Sequence, residues 1–112
     1  MTQAQRDLFP GALELMILKT LRAQPLHGYA LAQQIRRLSE LEIEEGSLYP
    51  ALQRMLRAGW LAASWTTSST NRRVRVYRVT LKGRRRLNQE VSSFQRMFQA
   101  IARVLASTEE SP

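Results

Sequence analysis

Glu45-Gly46-Ser47-Leu48-Tyr49-Pro50-Ala51-Leu52-Gln53-Arg54-Met55-Leu56-Arg57-Ala58-Gly59-Trp60 is the stretch whose reading decides the fold. It predicts a short helix with two unlike faces. At about 100° per residue, Leu48, Ala51, Leu52, Met55 and Leu56 gather on one side, and Tyr49, Pro50, Gln53, Arg54 and Arg57 gather on the other. Ser47 is the expected N-cap, its hydroxyl accepting from open N–H groups of the first turn. Pro50 then sits early enough that its missing N–H falls among the helix's unpaired donors. Gly59 is the expected stop, because glycine enters the left-handed conformation at little cost. A buried back and a front of amide, guanidinium and phenol suit the major groove of DNA, where Arg and Gln can pair with base edges and Arg can grip phosphate. Taken alone, the segment fits an ordinary amphipathic helix with a solvated face equally well.

The charge around it separates these readings. The chain has 112 residues and a net charge of +8, and its acids and bases are segregated. Between Gly46 and Gln89 there is no Asp or Glu, while Arg54, Arg57, Arg72, Arg73, Arg75, Arg78, Lys82, Arg84, Arg85 and Arg86 all fall there. A one-sided basic region is the electrostatic footprint of a polyanion binder; basic residues that serve solubility alone are more usually interspersed with acids.

Length and 44% hydrophobic content allow one small domain with an appendage. There is no cysteine and a single histidine, so neither a disulfide framework nor a metal cluster is expected, and no cofactor. No signal-type start and no run near the ~20 residues of a membrane span is present; the expectation is a soluble cytoplasmic protein. No nucleophile–base pair or phosphate-cradling glycine loop appears, so an enzyme is not expected.

Outward from the opening stretch, Phe9-Pro10-Gly11 introduces a first helix whose Leu13, Leu15, Met16, Ile17, Leu18 and Leu21 almost encircle it. Such a helix is buried on more than one side. Pro25 ends it by pushing Gln24 out of helical geometry. His27-Gly28-Tyr29 starts a second helix to about Leu38, with Leu31, Ala32, Ile35 and Leu38 facing inward and His27 as a turn or capping residue. Glu40, Glu42, Glu44 and Glu45 form a solvated connection that opposes the next helix's dipole. Beyond Gly59 the period changes to two: Trp60–Trp65 and Arg72–Thr80 read as strands joined by the polar turn Thr66–Asn71, a hairpin with a mobile tip and basic residues near it. Thr80 caps a last helix reaching about Ala106, with a heptad seam of Leu87, Val91, Phe94, Phe98, Ile101 and Leu105, widened by Met97 and Val104. A second copy of the chain is the simplest cover for that seam and for the first helix.

The class is therefore mainly α with a small β-hairpin: a winged helix-turn-helix over residues 1–80, a dimerisation helix over 81–106 and a disordered tail over 107–112. Leu26-His27-Gly28-Tyr29-Ala30-Leu31, Gly46-Ser47-Leu48-Tyr49-Pro50-Ala51-Leu52, Gly59-Trp60-Leu61 and Tyr77-Arg78-Val79-Thr80-Leu81-Lys82-Gly83 closely resemble the PadR family of bacterial transcriptional regulators. The resemblance implies a homodimeric DNA binder, commonly a repressor, of the short branch in which one C-terminal helix joins the protomers. It implies that Tyr29, Ser47, Tyr49 and Pro50 lie at or near DNA and that Leu48 and Leu52 pack inward. Trp60 departs from the smaller aliphatic residue usual there, with no consequence for function.

On this reading, Gln53, Arg57 and Tyr49 read bases, Ser47, Arg54 and Lys19 hold phosphate, and Arg72, Arg73 and Arg75 clamp flanking backbone or minor groove. The partners are double-stranded DNA and a second copy, with Leu13, Met16, Ile17, Leu87, Val91, Phe94, Phe98, Ile101 and Leu105 at the dimer contact. Some short-branch relatives bind flat aromatic compounds between their last helices; Met16, Phe94, Met97, Phe98 and Ile101 would line such a gap, and a dry packed seam is the alternative. A non-specific nucleic-acid binder and a protein-interaction module using the seam are the competing functions. Neither needs a palindromic site.

Overall fold

The computed structural model describes residues 11–108. Along them run α1 (Ala12–Ala23), β1 (Leu26–His27), α2 (Gly28–Ser39), α3 (Glu45–Arg57), β2 (Leu61–Thr67), β3 (Arg73–Val79) and α4 (Leu81–Ala106). The expected opening at Phe9 and Pro10 and the far end of the tail lie outside the described residues. One core takes Leu13, Ile17, Leu18 and Leu21 from α1, Leu31, Ala32 and Ile35 from α2, and Leu48, Ala51, Leu52 and Met55 from α3. Leu61, Tyr77 and Leu87 close it. Each large aliphatic side chain buried there contributes about 1.5–3 kcal/mol relative to exposure. Leu38, expected on the inward stripe of α2, is 61% exposed; it borders an open groove with Leu15 and Met16 of α1 and Val91 of α4.

The helix ends follow local chemistry. Gln24 is extended (φ −167°, ψ 150°) before Pro25, as the proline requires. The His27 imidazole accepts from the Ala30 N–H at 3.2 Å and so caps α2. Gly59 has φ +79°; its N–H reaches the Leu56 carbonyl and the Trp60 N–H reaches Met55, the paired bonds of a Schellman ending. The start of α3 differs from expectation. Glu44 is the N-cap, without a side-chain capping bond, and Ser47 lies inside the first turn with its N–H on the Glu44 carbonyl at 3.1 Å. The chain is already committed upstream: Ile43 is buried and its carbonyl accepts from Arg36 Nε at 2.6 Å. Pro50 consequently sits in the helix body, where it donates no bond to the Gly46 carbonyl.

The hairpin is a three-stranded antiparallel sheet of order β1-β3-β2. The added strand, β1, pairs Leu26 with Tyr77 and His27 with Val76; a two-residue strand has no alternation to betray it in sequence. Between β2 and β3, Leu61 faces Val79 and Thr67 faces Arg73. The tip is tied by Ser68, whose N–H and hydroxyl bond the Arg72 carbonyl and N–H respectively, with Asn71 left-handed at φ 60°.

Thr80 joins the parts. Its hydroxyl donates to the Gly59 carbonyl at 2.6 Å and accepts from the Gly83 N–H at 3.0 Å, and its own N–H reaches the Trp60 carbonyl. The start of α4 is thereby fastened to the end of α3. Gly83 is required there, because a Cβ would run into the Trp60 carbonyl oxygen.

Candidate nucleic-acid interface

On α3, packing of Leu48, Ala51, Leu52 and Met55 into the core turns Gly46, Pro50, Gln53 and Arg57 outward, and all four are exposed. Helical geometry sets Tyr49 and Arg54 on opposite flanks of this front. Arg54 is turned toward α1, where its guanidinium lies 2.7 Å from the Glu14 carboxylate. The residue expected to hold phosphate therefore already has a counter-ion. Lys19 is placed elsewhere, in a groove with Leu38 and Val91.

The other flank of α3 borders a cleft of about 330 Å³ between the helices and the wing, with Tyr29, Tyr49, Trp65, Arg73 and Arg75 among its walls. Tyr49 leans on Gly28; a Cβ at Gly28 would meet the Tyr49 hydroxyl at 2.8 Å. Tyr49 thus belongs to the cleft wall more than to the front with Gln53 and Arg57. Burial, and after it the Glu45 carboxylate and Tyr77, push its phenol above the ordinary range, which keeps it a hydrogen-bond donor. The Tyr29 hydroxyl accepts from Gln33 Nε2 at 2.9 Å. On the wing, Arg73 lies over the Trp65 ring at 5.0 Å and Arg75 over Tyr77 at 5.7 Å. Arg72 is exposed at the tip.

Away from this surface, α4 leaves the core after Val91. Phe94, Met97, Phe98, Ile101, Val104 and Leu105 are all exposed, as expected for the outer half of the seam. Leu13, Ile17 and Leu87, expected at a contact between protomers, are enclosed by their own chain at 8%, 0% and 1% exposure. The near-circular apolar pattern of α1 is accounted for by α2, α3, β3 and α4, which all pack around it. Phe94, Met97, Phe98 and Ile101 border an apolar groove of about 410 Å³ against Leu15 and Ala12. Met16, expected with them, lies instead in a neighbouring groove of about 520 Å³ with Val91 and Phe94.

The polar face of α3 and the basic residues of the wing lie at the surface, where the sequence pattern places them. Sequence reasoning missed Gly28 as the seat of Tyr49, the Glu14–Arg54 pair and the stacking role of Trp65. Only the last had a signal: Trp65, Arg73, Arg75 and Tyr77 share one face once the hairpin register is fixed.

Helix-turn-helix, an exposed polar front on its second helix and an arginine-bearing wing beside it define a winged-helix protein. Comparison with known proteins narrows this. The chain belongs to the transcriptional regulator PadR-like family, whose profile matches residues 17–89. Solved structures agree. A PadR family transcription regulator from hypervirulent Clostridium difficile R20291 is 26% identical, with TM-score 0.78 over 86% of this chain and 100% of that one. A PadR-like regulator from Bacillus cereus ATCC 14579 is 26% identical, with TM-score 0.78 over 88% and 95%. A PadR family regulator from Eggerthella lenta DSM 2243 is 27% identical, with TM-score 0.79 over 88% and 86%. A search of curated proteins found no match. Among the described residues, no helix is long and apolar enough to cross a membrane.

Proposed function

We propose that the protein is a sequence-specific repressor that binds a pseudo-palindromic operator as a homodimer. The observation that carries this reading is the α3 front: its polar residues project from a helix whose other side is completely occupied by the core. Gln53 and Arg57 read base edges in the major groove, while the wing arginines grip the backbone beside it. The exposed outer half of α4 supplies the dimer contact through Phe94, Phe98, Ile101 and Leu105, with Val91 at its inner edge. Two α3 helices then enter successive major grooves about one helical turn apart.

Repression, rather than activation, is what the family resemblance favours. A small aromatic effector would enter the groove beside Phe94, Met97, Phe98 and Ile101, where methionine and phenylalanine adapt to apolar ligands. Selection of preferred duplexes from a random pool tests the main reading. The expected product is a pair of inverted half-sites at fixed spacing; enrichment of single sites, or no enrichment, overturns it. Release from the selected duplex by an aromatic ligand tests the effector.

A further inference from the structure

We propose that the cleft between the wing and the first turns of α2 and α3 seats one backbone phosphate of DNA, and that Trp65 is a positioning residue that aims Arg73 into it. The inference rests on the DNA-binding reading above and adds an occupant and a residue to it.

Three observations converge. Arg73 is paired across the hairpin with Thr67, yet its guanidinium crosses diagonally to lie 5.0 Å from the centre of the Trp65 ring. A diagonal cross-strand neighbour is within reach of an aromatic and a long side chain. Arg75 repeats the arrangement along its own strand, 5.7 Å over Tyr77. Tyr77 is buried in the core while Trp65 is 58% exposed, so one aromatic seat is anchored and the other is held open on the wing. A guanidinium engaged through its flat face keeps its N–H donors free at the edge, in the fork that matches phosphate. Both forks lie at a cleft whose remaining walls include Tyr29 and Tyr49. No acid is among its walls and none occurs in sequence between Gly46 and Gln89, so the wing adds no negative charge; the carboxylate that acts on the site is Glu45, through Tyr49, and two arginines outweigh it.

The direction of the side chains selects phosphate over the minor groove. An arginine that reads the minor groove must project past the end of the wing. Arg73 and Arg75 lie on the inner face, turned toward α2 and α3. They therefore face the strand bordering the major groove that α3 enters. Trp65 contributes no charge; its role is to hold Arg73 extended over the cleft before DNA arrives, which lowers the ordering cost of the contact.

The test uses the full chain and the duplex selected above, with single methylphosphonate linkages that neutralise one phosphate at a time. Wild type is expected to lose affinity at one flanking linkage in each half-site, and Arg73→Ala to lose clearly less at that same linkage, Arg75 still facing it. Trp65→Ala should weaken binding about two- to fivefold, the range an exposed cation–π contact allows, on all sequences alike. Arg73→Ala should lower the slope of log affinity against log salt by about 0.9 per protomer, whereas Trp65→Ala, which keeps the arginine, should leave the slope unchanged. The double variant should be no weaker than Arg73→Ala alone, and Trp65→Phe should restore most of the loss. Additive losses in the double variant, or no loss of affinity in Trp65→Ala, overturn the positioning role. Losses confined to duplexes with A·T-rich flanks overturn the phosphate as occupant. Absence of any wild-type binding to duplex DNA would instead remove the functional reading on which the proposal stands.

Discussion

Two glycines show how single residues divide the labour of this domain. At Gly83 an added methyl meets the backbone carbonyl of Trp60, which is fixed by its bond to the Thr80 N–H. Gly83→Ala is expected to destabilise the fold by about 1–3 kcal/mol, the usual cost of overpacking, seen as a fall of several degrees in melting temperature. At Gly28 the methyl meets the far end of the Tyr49 ring, which can swing aside. Gly28→Ala should therefore cost less than about 1 kcal/mol of stability while weakening DNA binding in an anisotropy titration, because the wall of the phosphate cleft moves. Tyr49 also gives a pH signature. Its folded pKa lies above the ordinary 10.0, so its contribution is complete below pH 10 and is lost as pH rises through the folded value. Urea midpoints should fall between pH 9 and pH 11 more steeply in the wild type than in Tyr49→Phe.

At the scale of elements, α3 carries stability on its back and, on the proposed reading, specificity on its front. Gln53→Ala is expected to relax preference at one operator position by about 1–3 kcal/mol, whereas Arg73→Ala should weaken all sequences alike; equal profiles from competition binding would contradict this division. The Glu14–Arg54 pair is largely exposed on the Arg54 side, so Glu14→Gln should change unfolding free energy by less than about 1 kcal/mol. What could be read beforehand follows from the range of the forces. The apolar face of α3, the Gly59 stop, the Thr80 cap and the His27 cap depend on residues within a turn of one another and were legible. The start of α3 was not, because Arg36 of the preceding helix and Ile43 of the connection fix it. Nor was β1, which exists only because β3 returns beside it, about fifty residues later in sequence. For the same reason Tyr49 was assigned to the front: its partner Gly28 lies on another helix.

Across the whole molecule, the strongest mismatch between expectation and structure concerns α1. Its apolar girth suggested two contacts, one inside and one with a second subunit; Leu13 and Ile17 instead serve the core alone. In the proposed dimer the contact then falls to the outer half of α4. Phe98→Asp, at a side chain 64% exposed in the single chain, should leave the monomer folded by circular dichroism. It should shift sedimentation to the monomer and abolish tight binding to a two-half-site operator; a dimer that survives would place the contact elsewhere. Affinity of the wild type should fall steeply with salt, since log affinity declines by about 0.9 per log unit of salt for each phosphate neutralised.

The bonds around Thr80 carry one more consequence. Over its 26 residues, α4 is a rod about 39 Å long at 1.5 Å per residue, clamped at one end directly against the tail of α3. A tilt of one degree at that pivot sweeps the free end through roughly 0.7 Å. In the proposed dimer, wedging two such rods apart near their tips would turn each α3 with them, and the distance between half-sites would be a mechanical property of the joint, set far from any base.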